Sequence, residues 1–359
     1  YWLEPMLELE TDAGRVAFGP IQVSGVEAFL ESKPWLHPSK HPEYLGLTED
    51  IPFLKQQQRL TFGRVGRIDP LSLSDYEAGE GFVGLRRALS ISPEAIVREV
   101  TESGLRGRGG AAFPTGIKWQ TVLETPSATK YIVCNADEGD SGTYADRMMM
   151  ESDPFAVIEG MTIAGLAVGA GLGYIYLREE YRYAEWVLNE AIKRAEAAQF
   201  LGQNILGSDQ SFSIEVRLGA GAYICGEETA LLECIEGRRG EPRNKPPFPG
   251  NVGLFGQPTL INNVETFVHA VSIVGQGADW WNALGCEGFA GHKFISVSGD
   301  VASPGVGLYP MGLPLSEILK AHGGMKDDAE VLAIAPGGAS SNFLGPEALD
   351  LALDFDALA

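Results

Sequence analysis

Four segments concentrate the residues able to do chemistry in this chain. Residues 104–119 read GLRGRGGAAFPTGIKW, a glycine and arginine loop that runs into a helix. Its glycines let main-chain N–H groups approach an anion, the helix start adds positive potential, and Arg108 and Lys118 supply full charges. This is a phosphate cradle in physical terms. It fits neither GxGxxG nor GxxxxGK followed by Ser or Thr, so standard dinucleotide and NTPase mechanics do not apply. Residues 135–143, NADEGDSGT, sit at the end of an apolar run that reads as a strand, where α/β sheets bind ligands. Asn135, Asp137, Glu138 and Asp140 suit hydrogen bonds to sugar hydroxyls and to the polar edge of a planar ring. A calcium loop is the sharper rival, but the remaining EF-hand positions are absent. Residues 219–229, GAGAYICGEET, form another strand end, a small-residue turn and a helix start. There Tyr223 is placed to stack on or abut a ring, whereas Glu227 and Glu228 alone need do no more than complement the helix dipole. Residues 237–255 carry Arg238, Arg239, Lys245 and Phe248 among repeated prolines, a stiff basic loop in an acidic protein.

Charge explains why that loop matters. The chain has 359 residues and a formal charge of −21, from 48 acidic and 27 basic side chains. Such a field repels nucleic-acid backbones and anionic membrane surfaces, so neither is an expected partner. An anionic nucleotide can bind only where the sign reverses locally, as in 104–119 and 237–255. The four cysteines, Cys134, Cys225, Cys234 and Cys286, form neither a CxxC pair nor a disulfide-scaffold spacing, which suits a reducing, cytoplasmic compartment and offers no metal-ligand set. The longest uncharged run, 160–177, reads as a buried helix and strand: Ser152-Asp153-Pro154 starts a helix and the glycines of 169–173 stop it. No membrane insertion is expected. The opening at Tyr1, without a methionine or a basic-then-apolar leader, reads as a cut or processed end.

The positioning elements follow from periodicity. Residues 1–22 alternate apolar and polar groups about a turn at 12–14, and 23–85 read as an irregular arm. Helices are expected at 93–102, around Lys118, from Pro154, at 183–199 and at 227–235, with strands at 130–135, 174–177 and 212–218. Strands alternating with helices predict a three-layer, Rossmann-like α/β domain over 86–285. Strands at 293–298 and 331–335, with a helix at 315–322, predict a small β-grasp-like α+β domain over 286–359.

In combination, GLRGRGGAAFPTGIKW, CNADEGDSGTYADR, GAGAYICGEETAL, KPPFPG and LINNVETF closely resemble the NADH-binding, FMN-containing subunits of respiratory complex I, of NAD-reducing hydrogenases and of NAD-dependent formate dehydrogenases. The resemblance runs from about residue 85 to 359. It implies a diaphorase, exchanging a hydride between NAD(H) and FMN and single electrons with iron-sulfur centres. By that resemblance Gly107, Arg108, Gly109, Gly110 and Lys118 surround the FMN phosphate and ribityl chain. Asn135, Asp137 and Glu138 hold the flavin's polar groups, and Tyr223, Gly226, Glu227, Asn262 and Asn263 complete its pocket. Phe113, Asp140, Glu228, Lys245 and Phe248 contact NADH, with Glu228 near the nicotinamide. No catalytic base is implied, since hydride transfer rests on position.

Three departures from the family pattern stand out. A position that is often aromatic, three residues after the loop lysine, is Thr121, which shifts adenine stacking onto Phe113 and Phe248. Asp140 replaces a glutamate. The cysteines that bind a 4Fe-4S centre in the family lie beyond residue 359, and none of the four present substitutes for them, which reads as an incomplete chain. Residues 1–22 resemble the tail of a thioredoxin-like domain. Together with Asp140-Ser141 and the opening Tyr-Trp-Leu-Glu-Pro, they tilt the resemblance toward a formate dehydrogenase beta subunit. The implied partners are an iron-sulfur subunit of the thioredoxin-like 2Fe-2S type and a larger catalytic subunit of a formate dehydrogenase or hydrogenase. Two rivals remain: a nucleotide-sensing scaffold module, and a flavin enzyme complete by itself.

Overall fold

Alternating side chains about the Asp12-Ala13-Gly14 turn pair β1 (Leu7–Thr11) with β2 (Gly14–Phe18) in the computed structural model, which describes residues 5–140, 142–337 and 341–355. β3 (Tyr44–Leu47) joins the far side of β2, giving an antiparallel sheet of order β1-β2-β3. Val16, Phe18, Ile21 and Phe29 form its core. A first unit thus ends at Arg59, and the boundary expected at residue 22 falls within it.

The second unit, from Leu60 onward, is built on a parallel sheet. Its strands are β4 (Tyr131–Ala136), β5 (Leu172–Leu177), β6 (Ser213–Leu218) and β7 (Thr259–Asn263), in the order β6-β5-β4-β7. Successive residues of β4 face opposite layers, as a period of two requires. Ile132, Cys134 and Ala136 enter the main core with helices Pro154–Val168 and Val264–Gln276, whereas Val133 packs with Leu231 and Leu232 of helix Glu228–Ile235. Helix, sheet and helix make the three expected layers.

Helix Pro154–Val168 is buried on nearly every side, which explains the uncharged run. Gly169 ends it in the left-handed region at φ 75°, and β5 follows. Asp153 stands at the helix start, but its carboxylate accepts from Arg64 Nε at 2.9 Å instead of capping the first turn. Among the described residues no helix is long and apolar enough to cross a membrane.

From β4 the chain moves to β5 on one side and returns later as β7 on the other. Beyond the C-terminal ends of β4 and β7 this topology opens a crevice, where open α/β sheets bind ligands. At the end of the unit, β8 (His292–Val297) pairs antiparallel with β9 (Gly305–Pro310) beside helix Leu315–Ala321. The strand expected at 331–335 is reduced to an isolated bridge between Ile334 and Leu344, and Leu332 is 84% exposed. That apolar run lacks a sheet to cover it. β9 is hidden from periodicity by Pro304, Gly305 and Gly307.

Candidate functional site

The glycine loop after helix Pro93–Glu102 is closed on itself. Gly107 N donates to Phe113 O and Thr115 N to Leu105 O, both at 2.9 Å, so residues 108–112 form a projecting tip. Gly110 takes φ 107°, which favours glycine, and a Cβ on Gly109 would lie 3.3 Å from Asn263 Cβ. Arg108 donates its main-chain N–H to Thr266 Oγ1 at 3.0 Å. Its guanidinium, 3% exposed, donates to the carbonyls of Arg106 and His292 at 2.9 Å each and lies 3.9 Å from Glu265. The side chain therefore ties the loop to β8.

Two joined lobes, about 610 Å³ and about 390 Å³, open at the ends of β4 and β7. Both lie in the range of small-molecule sites, roughly 300–1,000 Å³. Gly109, Asn135, Gly226, Glu227 and Asn263 line both lobes. Gly107, Phe113, Lys118, Glu228, Lys245, Phe248 and Asn262 line only the larger, with Thr121 among them. Arg108, Gly110, Asp137, Glu138, Asp140 and Tyr223 line only the smaller. Every residue that the resemblance assigns to a ligand thus borders the same cleft. The lobes do not follow the division by ligand, since Asp140 sits with the residues assigned to the flavin and Lys118 with those assigned to NADH.

Across the larger lobe runs a chain of alternating charges. Lys118 Nζ donates to Glu228 Oε2 at 2.9 Å, and Lys245 Nζ donates to Glu228 Oε1 and Glu227 Oε1 at 3.0 Å each. Burial pushes the Glu228 carboxyl up, but Lys118 and Lys245 outweigh it and hold the pKa below its usual value. Burial likewise pushes Lys245 down, and its two carboxylates more than reverse this. Glu227 also caps helix Glu228–Ile235, its Oε2 accepting from Thr229 N at 2.8 Å and Ala230 N at 2.9 Å. Both lysines are thus partly exposed and held in place by carboxylates.

The acidic turn divides its labour. Glu138 is buried and serves the fold: Oε1 accepts from Asp146 N at 3.0 Å, and Oε2 from Arg147 N at 3.1 Å and Tyr181 OH at 2.9 Å. It thereby holds the first turn of helix Ala145–Ser152, an element that periodicity does not reveal. Asp140 Oδ1 accepts from Tyr223 OH at 2.8 Å, and the Tyr223 ring packs so closely on Gly139 that a Cβ there would meet it at 2.8 Å. Asp137 has no such anchor. Its Oδ2 is buried without a hydrogen-bond partner. Burial pushes its carboxyl up, Arg178 pulls it down, Glu180 raises it, and the balance is about 6.

Asn262 and Asn263 are fixed from behind. Trp119 Nε1 donates to Asn262 Oδ1 at 2.9 Å, and Asn263 Nδ2 donates to Asp146 Oδ2 at 2.6 Å while its Oδ1 caps helix Val264–Gln276. Asp146 is buried, and desolvation followed by the nearby charges of Glu138 and Glu265 raises its pKa well above the usual carboxylate range. Sequence reasoning missed Trp119, Asp146 and Thr266. Their only signal was their place inside the quoted motifs. The apolar rim holds Phe113 and Phe248, 46% and 56% exposed. Thr121 turns its hydroxyl back to Ile117 O at 2.8 Å, and its methyl lies 3.1 Å from where a Cβ on Gly250 would sit.

A family model described as the Nuo51 FMN-binding domain matches residues 100–272, and an SLBB domain model matches residues 294–343. The NADP-reducing hydrogenase subunit HndC of Solidesulfovibrio fructosivorans is 45% identical over 306 residues, covering 85% of this chain and 62% of that protein. An NADH-quinone oxidoreductase subunit of Rhizobium meliloti (strain 1021) is 46% identical over 288 residues, 80% of this chain and 68% of that protein. An NADH-quinone oxidoreductase subunit of Escherichia coli (strain K12) is 44% identical over 292 residues, with 80% and 66% covered. A solved NAD+-reducing [NiFe]-hydrogenase in the H2-reduced state superimposes with a TM-score of 0.70 at 35% identity, covering 96% of this chain and 56% of that one. The chain therefore spans about three fifths to two thirds of the length of these relatives. With the matched residues centred on the cleft and the similarity sustained well beyond it, the chain belongs to the family of NADH-binding, FMN-containing subunits of complex I and of NAD-reducing hydrogenases.

Proposed function

We propose that the cleft holds FMN, receives NAD(H) beside it, and acts as the diaphorase site of a larger redox assembly. The observation that carries this reading is Asp137 Oδ2, a buried acceptor without a donor, in a cleft walled by glycines. Leaving such a group unsatisfied costs about 1–3 kcal/mol, and a ribityl hydroxyl would satisfy it. The residues present fit FMN: the loop amides and Lys118 hold its phosphate, and Gly109 and Gly226 leave room for its ring. When bound, FMN supplies the exchange of a two-electron hydride for single electrons. Glu228 and Lys245 orient the nicotinamide nucleotide, and Phe113 and Phe248 flank its adenine in place of an aromatic at position 121.

Two variants separate the two ligands. Lys118→Ala removes a charge-assisted contact, worth about 1.5–3 kcal/mol, and is expected to weaken FMN binding by roughly 10- to 150-fold in a fluorescence-quenching titration. Full occupancy in that variant would count against the phosphate cradle. Glu228→Ala is expected to keep its FMN and lose NADH turnover; loss of flavin instead would reassign that residue.

A pH dependence follows from Asp137. Its folded-state pKa of about 6 stands above the usual 3.8, so the carboxylate acceptor is lost as pH falls below about 6. FMN affinity is expected to drop across that point, and Asp137→Asn to flatten the profile. For the ligand-free fold the sign is opposite: this group's contribution is greatest below its unfolded pKa and is lost as pH rises through about 6.

NADH-dependent ferricyanide reduction by the FMN-reconstituted chain tests the activity. A nucleotide-sensing scaffold would bind both ligands and give no reduction; that result would reject the diaphorase. In the assembly, single electrons would pass to an iron-sulfur subunit of the thioredoxin-like 2Fe-2S type. A reducing, cytoplasmic setting suits that traffic. The named relatives belong to hydrogenases and NADH-quinone oxidoreductases. The formate dehydrogenase reading rests on sequence features alone, of which residues 1–4 and Ser141 lie outside the described residues. Adding formate or hydrogen to the purified assembly in separate cuvettes distinguishes them by which donor bleaches the flavin.

A further inference from the structure

Two of the four cysteines, nine residues apart in sequence, meet behind the cleft: Cys225 Sγ and Cys234 Sγ lie 3.1 Å apart. We propose that Cys225 and Cys234 form a redox-active dithiol that a peroxide converts to an intramolecular disulfide. The turn Tyr223–Gly226 folds back along helix Glu228–Ile235, which brings its cysteine against the one in the helix's last turn. Gly240 passes over both, since a Cβ there would stand 2.8 Å from Cys234 Sγ and 2.9 Å from Cys225 Sγ. No side chain therefore separates the thiols. Cys134 belongs to the core on the opposite face of the sheet.

The partners have unequal exposure. Cys225 is 1% exposed and Cys234 is partly exposed, so Cys234 meets the oxidant first. Its thiolate attacks one peroxide oxygen, the O–O bond breaks, and a sulfenic acid and a hydroxide result; the hydroxide takes up the proton the thiol gave up and becomes the first water. The Cys225 thiolate then attacks the Cys234 sulfur, the S–S bond forms, and hydroxide leaves as the second water after taking a proton. Two thiols and one hydrogen peroxide give one disulfide and two waters. Burial, opposed by the Tyr176 hydroxyl, pushes the Cys225 thiol up to about 11, so closure is the step favoured by alkaline pH. The sulfurs must draw about 1 Å closer to reach a bond of about 2.05 Å. That motion is transmitted to Gly226 and Glu227, which follow Cys225 directly and line both lobes.

The test is independent of any activity. No Lys or Arg lies between Arg217 and Arg238, so trypsin releases both cysteines in the single peptide 218–238. The folded full chain is treated with hydrogen peroxide, quenched with catalase, unfolded, alkylated and digested. The expected peptide carries no alkyl group and is two hydrogens lighter; dithiothreitol restores two alkylation sites, and C234S leaves Cys225 alkylatable. A peptide that still takes two alkyl groups, or Cys225 linked to Cys134 or Cys286, would overturn the proposal.

Discussion

Gly226→Val is expected to fold normally and to lose most of its affinity for FMN. A Cβ at this position would meet Asp137 O at 3.7 Å and Asp137 Oδ2 at 3.8 Å, ordinary contact distances, so the first added carbon does not strain the protein itself. The added methyls would instead enter the space shared by both lobes. Overlap with a bound ring and loss of the Asp137 contact together should weaken FMN by ~100-fold or more, about 2.7 kcal/mol. The melting temperature of the ligand-free chain should be nearly unchanged. Flavin-fluorescence titration beside a thermal melt reads both quantities. Binding at the parental affinity would move the flavin out of this cleft.

Glu138→Ala should act in the opposite order, through the fold first. Its two oxygens satisfy three donors, the amides of Asp146 and Arg147 and the hydroxyl of Tyr181. Stranding buried donors costs about 1–3 kcal/mol each, so a loss of about 3 kcal/mol or more is expected in denaturant unfolding of the ligand-free chain. Flavin binding should fall as a consequence, because Glu138 lies between Asp137 and the helix that carries Asp146. The resemblance assigns Glu138 to the flavin's polar groups. Unchanged stability with lost flavin would restore that direct role and remove the structural one.

The two roles open to Glu138 show what sequence can carry. Gly107, Lys118, Asn135, Asp137, Tyr223 and Phe248 are assigned to one cleft by the family resemblance, whereas periodicity alone shows only the strand that ends at Asn135 and the helix that carries Lys118. Which carboxylate is spent on the fold was not legible. Asp137 and Glu138 are adjacent and chemically alike, and only the position of helix Ala145–Ser152 turns one into a helix anchor and leaves the other open. Arg108 follows the same rule, since its guanidinium is claimed by the carbonyl of His292, far away in sequence. Thiol contact was hidden for a related reason: Cys225 and Cys234 fit no short-spacing motif, and the turn that joins them depends on the small residues at 219–222. In the small C-terminal region, apolar content at 331–335 mimicked a strand, while β9 carried glycine and proline and looked like a turn.

The most direct test of the central claim is an anaerobic visible spectrum of the FMN-loaded chain before and after one equivalent of NADH. The account predicts bleaching of the flavin band with oxidation of the nucleotide in equal amount, and neither change in Gly226→Val. A flavin band that stays intact while NADH is bound would contradict hydride exchange in this cleft.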